Sequence, residues 1–140
     1  MKISSNIWRM LTVIYLAVVA YLCFWRFSPS PSVPNFIFGI PTDKVLHCLM
    51  FTPAVPLVFL SLPGKWKRGF RMELPILLLT AVFSATVAGL VELFQGLTSY
   101  RSCDLYDYYA DIAGISFASV VTLSVLAFRA FRSRSSRNGR

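Results

Sequence analysis

The chain has 140 residues, 56% of them hydrophobic and 14% charged, a mean hydropathy of +0.61 and a formal net charge of +8. This composition is typical of membrane proteins, and the length fits one domain without a separate soluble module. A soluble helical bundle is excluded because its helices would each carry a polar face, whereas the apolar runs of this chain are apolar almost all round.

Four segments without acidic or basic residues follow one another along the chain. They are Met10 to Trp25, Val45 to Leu62, Leu74 to Val91 and Ile112 to Phe128, which are 16, 18, 18 and 17 residues long. Each is near the lower limit for a spanning helix of about 20 residues, and long charged side chains beside it can reach the interface. The sequence therefore predicts an all-α, polytopic bundle of four transmembrane helices in a single domain over 1–140, with spans at 8–26, 44–62, 74–94 and 108–128.

The segments around these runs carry further signals. Lys2 and Arg9 precede the first run as in a signal peptide, but no small-residue cleavage site follows it. The proline-rich stretch 28–34 predicts a stiff, extended connection. Within the second span, Pro53 and Pro56 each remove a backbone donor and predict a bend in that helix.

The distribution of lysine and arginine predicts the orientation. One side of the predicted membrane carries eleven of the fourteen basic residues and one acid, Glu73. The other side carries three basic residues and five acids. Both termini are therefore predicted to be cytoplasmic. The basic segment 129–140 is predicted to be a disordered cytoplasmic tail that acts as a topology signal, and no nucleic-acid partner is expected.

The only histidine and every acid except Glu73 lie near the outer ends of the predicted helices. Charged groups are costly in hydrocarbon, so such a cluster is a functional-site hypothesis by default. The chain predicts an outward-facing polar pocket. Its candidate ligand-binding residues are Asp43, Lys44, His47, Glu92, Gln95, Arg101, Asp104, Asp107 and Asp111.

Helical spacing indicates where these side chains point. Asp104, Asp107 and Asp111 stand at i, i+3 and i+7 of the fourth helix, so they share one face. Gly114 and Ala118 continue that face with small residues, which allow membrane helices to approach closely. This face is therefore predicted to be buried against neighbouring helices, and the alanine-rich approach to Glu92 predicts that this carboxylate also turns inward.

The order and spacing of these polar residues resemble the VanZ-like family of small bacterial membrane proteins. The resemblance covers the chain from Thr42 to Ala118. Asp111 stands where the family often has asparagine, and Ala118 where it often has a second glycine. The matching pieces are Asp43-Lys44-x-x-His47, Glu92-x-x-Gln95 and Arg101-x-x-Asp104-x-x-Asp107-x-x-x-Asp111-x-x-Gly114.

This family is named for a protein linked to low-level teicoplanin resistance. The resemblance therefore implies a multi-pass protein of the bacterial inner membrane with a role in the cell envelope. The resemblance does not identify a chemical reaction.

Two interpretations of His47 remain open. Asp43, one turn away, could orient the imidazole as a base, because a neighbouring carboxylate selects the tautomer and raises the basicity. Alternatively, Asp43 caps the start of the helix and His47 forms a hydrogen bond at the membrane interface. Each interpretation gives the histidine a partner, which a polar group near hydrocarbon requires.

The carboxylates also allow two interpretations. Glu92, Asp107 and Asp111 with His47 have the ligand types of a metal site, but no established metal-binding spacing is present. An ion-pair network in which Lys44 and Arg101 neutralise the acids is favoured. No metal and no cofactor are therefore predicted.

The favoured function is binding or modulation of an envelope lipid or a lipid-linked wall precursor, with membrane lipids as partners. One alternative is an intramembrane enzyme acting on a lipid phosphate or wall precursor, with His47 as base and Glu92 or Asp107 as orienting or metal-binding groups. Another is a small carrier or proton relay. The three cysteines lack Cys-x-x-Cys spacing, which argues against a thiol oxidoreductase but leaves one bridge to Cys103 open.

Overall fold

The computed structural model of the chain describes residues 5–25, 34–63, 69–99 and 103–138. Four helical stretches are long and apolar enough to cross a membrane, so the predicted all-α bundle of four spans is confirmed. The elements in chain order are α1 (Ser5–Phe24), β1 (Phe36–Ile37), β2 (Ile40–Pro41), α2 (Thr42–Phe51), α3 (Ala54–Ser61), α4 (Phe70–Gly96) and α5 (Leu105–Asn138).

Helix α5 is the centre of the bundle, because it packs against α2 and α4, while α1 packs mainly against α3. The interior is lined by small and medium apolar side chains, including Val55, Leu77 and Ala88. Large apolar side chains cover much of the outer surface, as lipid contact requires. Gly114 and Ala118 are both buried, which confirms the predicted buried face of α5.

The second span is interrupted at Thr52 and Pro53, between α2 and α3. Pro53 has no N–H to donate to a carbonyl one turn earlier, so the regular helical ladder cannot pass through this position. The amides on either side still form helical bonds, from Thr52 to the Cys48 carbonyl and from Leu57 to the Pro53 carbonyl, both at 3.1 Å. The two prolines thus break the helix locally while the chain continues across the membrane.

A short hairpin precedes α2. Phe36 pairs with Pro41 and Ile37 with Ile40 in antiparallel register. The two turn residues, Phe38 and Gly39, both have left-handed backbone angles, with φ of 52° and 79°. This is the backbone of the two-residue turn that matches the twist of a hairpin. The sequence did not predict it, and most of the proline-rich stretch 28–34 lies outside the described residues.

The prediction of an unstructured tail from Arg129 onward is wrong for the described part of that tail. Helix α5 continues without a break to Asn138. Arginine is a good helix former, and extending an existing helix requires no new nucleation. Basic residues near the C-terminal end also interact favourably with the helix dipole.

Gly114 marks the closest contact between α2 and α5. A Cβ atom at this position would lie 2.2 Å from the carbonyl oxygen of Cys48 and 3.1 Å from Oγ1 of Thr52. Because the obstructing atom belongs to the backbone, a side chain could be accommodated only by moving the helices apart. The absence of a side chain at Gly114 therefore sets the distance between α2 and α5 one turn below Asp111.

Candidate functional site

Side chains from three spans meet at one end of the bundle, as the sequence predicted. His47 comes from α2, Glu92 from α4, and Asp107 and Asp111 from α5, and all four residues are buried. We refer to these four residues as the carboxylate–histidine cluster. Its members are brought together by tertiary packing, because 45 residues of sequence or more separate His47 from each of the others.

His47 is surrounded by carboxylates. Its Nδ1 lies 3.0 Å from Oδ1 of Asp111 and 3.8 Å from Oε1 of Glu92, and its Nε2 lies 3.7 Å from Oδ2 of Asp107. Only the contact with Asp111 is within hydrogen-bond distance. Asp111 therefore holds the imidazole orientation, which is the role that the sequence analysis considered for Asp43.

Asp43 lies on the surface beside the cluster. Its carboxylate is half exposed and lies 3.2 Å from Nζ of Lys44, its neighbour in sequence. The side chain forms no capping hydrogen bond at the start of α2, where Pro41 occupies the cap position. As an acid in the first helical turn it still interacts favourably with the helix dipole. Asp43 therefore has neither of the roles considered for it, as the partner of His47 or as the side-chain cap of the helix.

Lys44 forms the ion pairs that the sequence analysis expected of it. Its Nζ lies 2.5 Å from Oδ2 of Asp104 and 2.5 Å from Oδ1 of Asp107, in addition to its contact with Asp43. The side chain is 17% exposed, so these pairs are only partly screened by solvent. These three carboxylates form the rim of the site, and the single positive charge of Lys44 neutralises them only in part. The second expected cation, Arg101, lies outside the described residues.

Asp104 connects the rim to the start of α5. Its Oδ1 accepts a hydrogen bond of 2.9 Å from the Tyr106 amide, and its backbone carbonyl accepts one of 3.0 Å from the Asp107 amide. This is how an aspartate caps a helix N-terminus. The hydrogen bond from Lys44, together with that from the Tyr106 amide, lowers the pKa of the Asp104 carboxyl below its usual range. The rim therefore carries a fixed negative charge at neutral pH.

Two carboxylate oxygens inside the cluster have no hydrogen-bond partner among the described residues. They are Oε1 of Glu92 and Oδ2 of Asp111, on side chains that are 4% and 0% exposed. The other oxygen of Glu92 accepts a long hydrogen bond of 3.3 Å from the Asp104 amide. Buried polar atoms are almost always satisfied, so each unpartnered oxygen requires an explanation.

Gln95 is buried but has a structural contact. Its Nε2 donates a hydrogen bond of 2.9 Å to the backbone carbonyl of Cys23 at the end of α1. This hydrogen bond links α4 to α1. Gln95 was predicted as a ligand-binding residue, and the structure instead uses its amide to satisfy a buried carbonyl.

A groove between α4 and α5 opens on the surface of the bundle and borders the cluster at Glu92. Its volume is about 400 Å³. Ala85, Gly89 and Tyr108 line its apolar part, and Glu92 and Asp104 stand at its polar end. The sequence indicated the small residues of α4 but not that a tyrosine on α5 would face them.

Sequence analysis missed one buried acid at the opposite end of the bundle. Glu73 is 4% exposed, and its Oε1 lies 3.8 Å from Nη1 of Arg129. Together with Arg71 and Arg132 these two residues line a cleft of about 930 Å³. Glu73 lies one helical turn before Leu77, so the two residues share the buried face of α4. This spacing could have indicated that Glu73 is buried.

None of the three cysteines forms a disulfide bond. Cys23 is buried, Cys48 is half-buried and Cys103 is exposed, so the bridge to Cys103 that the sequence left open is absent. Cys103 instead packs against Gly96, where an added Cβ would lie 2.8 Å from its own Cβ. These contacts give the cysteines a packing role near the site.

The resemblance to the VanZ-like family rests on the residues quoted above. Comparisons with family models, with curated proteins and with solved structures return no match for this chain.

Proposed function

We propose that this protein binds an envelope lipid, or a lipid-linked wall precursor, through the α4–α5 groove and the polar cluster at its end. The single observation that carries the proposal is that an apolar groove between α4 and α5 ends at two acidic residues, the buried Glu92 and the partly exposed Asp104. Such a groove offers two environments that suit the two parts of one lipid molecule. Its volume also lies within the range of about 300–1,000 Å³ that is common for ligand sites.

The apolar part suits an acyl or polyprenyl chain. From Ala85 to Leu93 the groove follows α4 for about 12 Å, given the helical rise of about 1.5 Å per residue. Gly89 leaves room beside the ring of Tyr108, because a Cβ at Gly89 would be in ordinary van der Waals contact with that ring at 3.4 Å. A hydrocarbon chain lying there would replace bulk lipid without exposing any polar group.

The polar end suits a headgroup that combines a phosphate with amine or hydroxyl groups. Glu92 and Asp104 line this end of the groove, and carboxylate oxygens accept hydrogen bonds from an amine or hydroxyl. Lys44 stands on the far side of Asp104 and can attract a phosphate. An envelope role of this kind also agrees with the resemblance to VanZ-like proteins in a bacterial inner membrane.

Filling the groove is expected to release the lipid. Gly89→Phe places an aromatic ring in the space beside Tyr108, whereas Val82→Phe places the same ring on the exposed face of α4 outside the groove. Each protein is purified in detergent, and the retained lipids are quantified by mass spectrometry. We expect Gly89→Phe to retain at least about tenfold less lipid, equivalent to about 1.4 kcal/mol of binding free energy.

The control variant Val82→Phe should retain as much lipid as the wild type. Circular dichroism and a single symmetric elution peak establish that both variants are folded. Equal retention by the two folded variants would show that the groove does not hold the lipid, and the proposal would then fail.

The outward orientation of the site is tested by fusions to alkaline phosphatase, which becomes active only outside the reducing cytoplasm. The distribution of basic residues predicts an inactive fusion after Lys67 and an active fusion after Tyr100. The opposite pattern would place the cluster at the cytoplasmic face and would contradict an envelope ligand.

A further inference from the structure

The charges in the carboxylate–histidine cluster are incompletely balanced. Lys44 contacts Asp43, Asp104 and Asp107, and these pairs place its ammonium on the rim of the site. Among the described residues, the only basic side chain that Glu92 and Asp111 meet within 4 Å is His47. Two buried carboxylates therefore share one imidazole, an arrangement that is costly without a further cation.

The two unpartnered oxygens belong to these same carboxylates. Oε1 of Glu92 lies 3.8 Å from Nδ1 of His47, which is too far for a hydrogen bond. Oδ2 of Asp111 is fully buried and also lacks a donor. A cation that accepts electron pairs would balance the charge of both carboxylates and would give Oε1 of Glu92 a partner.

We propose that His47, Glu92 and Asp111 bind a divalent transition-metal ion, of the class of Zn²⁺ or Mn²⁺. Each residue contributes one ligand atom, and these atoms all lie within 4.8 Å of one another. Imidazole nitrogen suits first-row transition metals, and carboxylate oxygen suits the harder ions among them. The inference does not rest on lipid binding, because it concerns only the three protein ligands.

The distances fit such an ion with small side-chain rotations. Tetrahedral zinc with bonds of about 2.0–2.2 Å places its ligand atoms about 3.4 Å apart. Nδ1 of His47 lies 3.0 Å from one carboxylate and 3.8 Å from the other, so the two distances bracket that value. Three protein ligands leave one coordination position open, as in zinc sites that also bind water or a substrate.

The other ring nitrogen of His47 also faces a carboxylate, as is common for metal-binding histidines. With Nδ1 on the metal, Nε2 carries the proton and faces Oδ2 of Asp107 at 3.7 Å. A carboxylate in this position orients the ring and strengthens it as a ligand. Lys44 holds Asp107 from the other side. Asp107 is therefore a positioning residue for the metal site.

The proposed metal site borders the α4–α5 groove, because Glu92 belongs both to the metal ligands and to the groove lining. A phosphate entering from the groove could bind there. The metal site thus has access to an anionic ligand of the membrane.

The test is a metal titration of the full chain in detergent, without added lipid. The protein is stripped with a chelator and titrated with Zn²⁺ and, separately, with Mn²⁺, while calorimetry and elemental analysis measure affinity and stoichiometry. We expect one ion per chain. Glu92→Gln and Asp111→Asn should each weaken binding at least about 100-fold, and Asp107→Asn about 10- to 100-fold. Asp43→Asn, on the surface beside the site, should bind as the wild type does.

Thermal unfolding separates a metal ligand from a structural acid. In the metal-free state, Glu92→Gln and Asp111→Asn should unfold at the same temperature as the wild type or higher, because each removes a buried charge at nearly constant shape. The rise in unfolding temperature that the metal causes in the wild type should disappear in both variants. Unchanged metal binding in the two variants, or no stoichiometric binding by the wild type, would overturn the proposal.

If neither variant can be purified in folded form, X-ray absorption of the zinc-loaded wild type identifies the atoms that bind the ion. One nitrogen and an oxygen shell are expected around the ion. Sulfur scattering would assign the ion to a cysteine and would also overturn the proposal. Retained lipid is measured separately, so failure of the metal site leaves the lipid experiment interpretable.

Discussion

Replacing Gly114 with alanine is expected to reduce the free energy of unfolding by about 3 kcal/mol, the upper end of the usual range for overpacking. The added Cβ would lie 2.2 Å from the carbonyl oxygen of Cys48, well inside van der Waals contact. A flexible side chain could move aside, but here the obstructing atom is part of the α2 backbone. The two helices must separate, and contacts along their whole interface are weakened.

The matched control is Gly89→Ala, another glycine within a membrane-spanning helix. Its Cβ would meet only the ring of Tyr108 at 3.4 Å, an ordinary contact. We expect its stability to lie within about 0.5 kcal/mol of the wild type. Both are measured by reversible unfolding in mixed detergent micelles. Equal stabilities for the two variants would contradict the close approach at Gly114.

Gly114→Ala should also disturb the site. Gly114 is three residues from Asp111, and Cys48 follows His47 directly, so the close backbone contact is adjacent to the histidine–carboxylate pair. Separation of α2 and α5 lengthens the 3.0 Å contact between Nδ1 and Asp111. A folded Gly114→Ala protein should therefore bind metal more weakly than Gly89→Ala.

Replacing Lys44 with methionine is expected to destabilise the fold by about 3 kcal/mol, as removal of one partner from a largely buried ion pair does. Methionine keeps most of the side-chain volume but removes the cation shared by Asp43, Asp104 and Asp107. Asp107, whose side chain is 12% exposed, is left without that cation and close to Asp111 and Glu92. The repulsion among these carboxylates adds to the desolvation cost.

A double-mutant cycle with Asp107→Asn tests whether the unpaired Asp107 charge causes the loss of stability in Lys44→Met. Neutralising Asp107 in the Lys44→Met background should restore most of the lost stability, because the unpaired charge is then gone. Unfolding free energies of the wild type, both single variants and the double variant give the coupling energy. Additive effects of the two substitutions would show that the loss in Lys44→Met comes from packing alone.

The position of the site was predictable to a useful extent because it depends on local patterns. Charged residues cannot remain in lipid, so acids at the ends of apolar runs must face the bundle or the interface. The i, i+3 and i+7 spacing of Asp104, Asp107 and Asp111 placed them on one face, and the small residues Gly114 and Ala118 marked that face as buried. These inferences require only the periodicity of a helix and the polarity of the side chains.

The partners within the site were not predictable in the same way. Spacing along α2 suggested Asp43 as the partner of His47, because the two residues are one turn apart. The actual partner is Asp111, 64 residues away, and Asp43 contacts Lys44. Neighbours along a helix are known from sequence, whereas contacts across helices depend on which faces meet and how closely.

Gln95 and Glu73 illustrate the same limit. The sequence grouped Gln95 with the ligand-binding residues, and its amide Nε2 donates a hydrogen bond of 2.9 Å to the Cys23 carbonyl at the end of α1. Glu73 was counted only as the single acid on the predicted cytoplasmic side, and the sequence did not indicate that it is buried near Arg129. In both cases the contacting atom belongs to another helix, namely the Cys23 carbonyl of α1 for Gln95 and the Arg129 guanidinium of α5 for Glu73.

The chain alone determined four apolar helices, a concentration of acids at one end of them, and which face of α4 and α5 turns inward, since hydrophobic periodicity acts within each helix. Tertiary structure decided which carboxylate holds His47, which acids Lys44 neutralises, and which buried oxygens remain unpartnered. The physical reason is the distance between helices. It is set by the contact of Gly114 with the Cys48 carbonyl, and it determines whether groups on different helices come within bonding range.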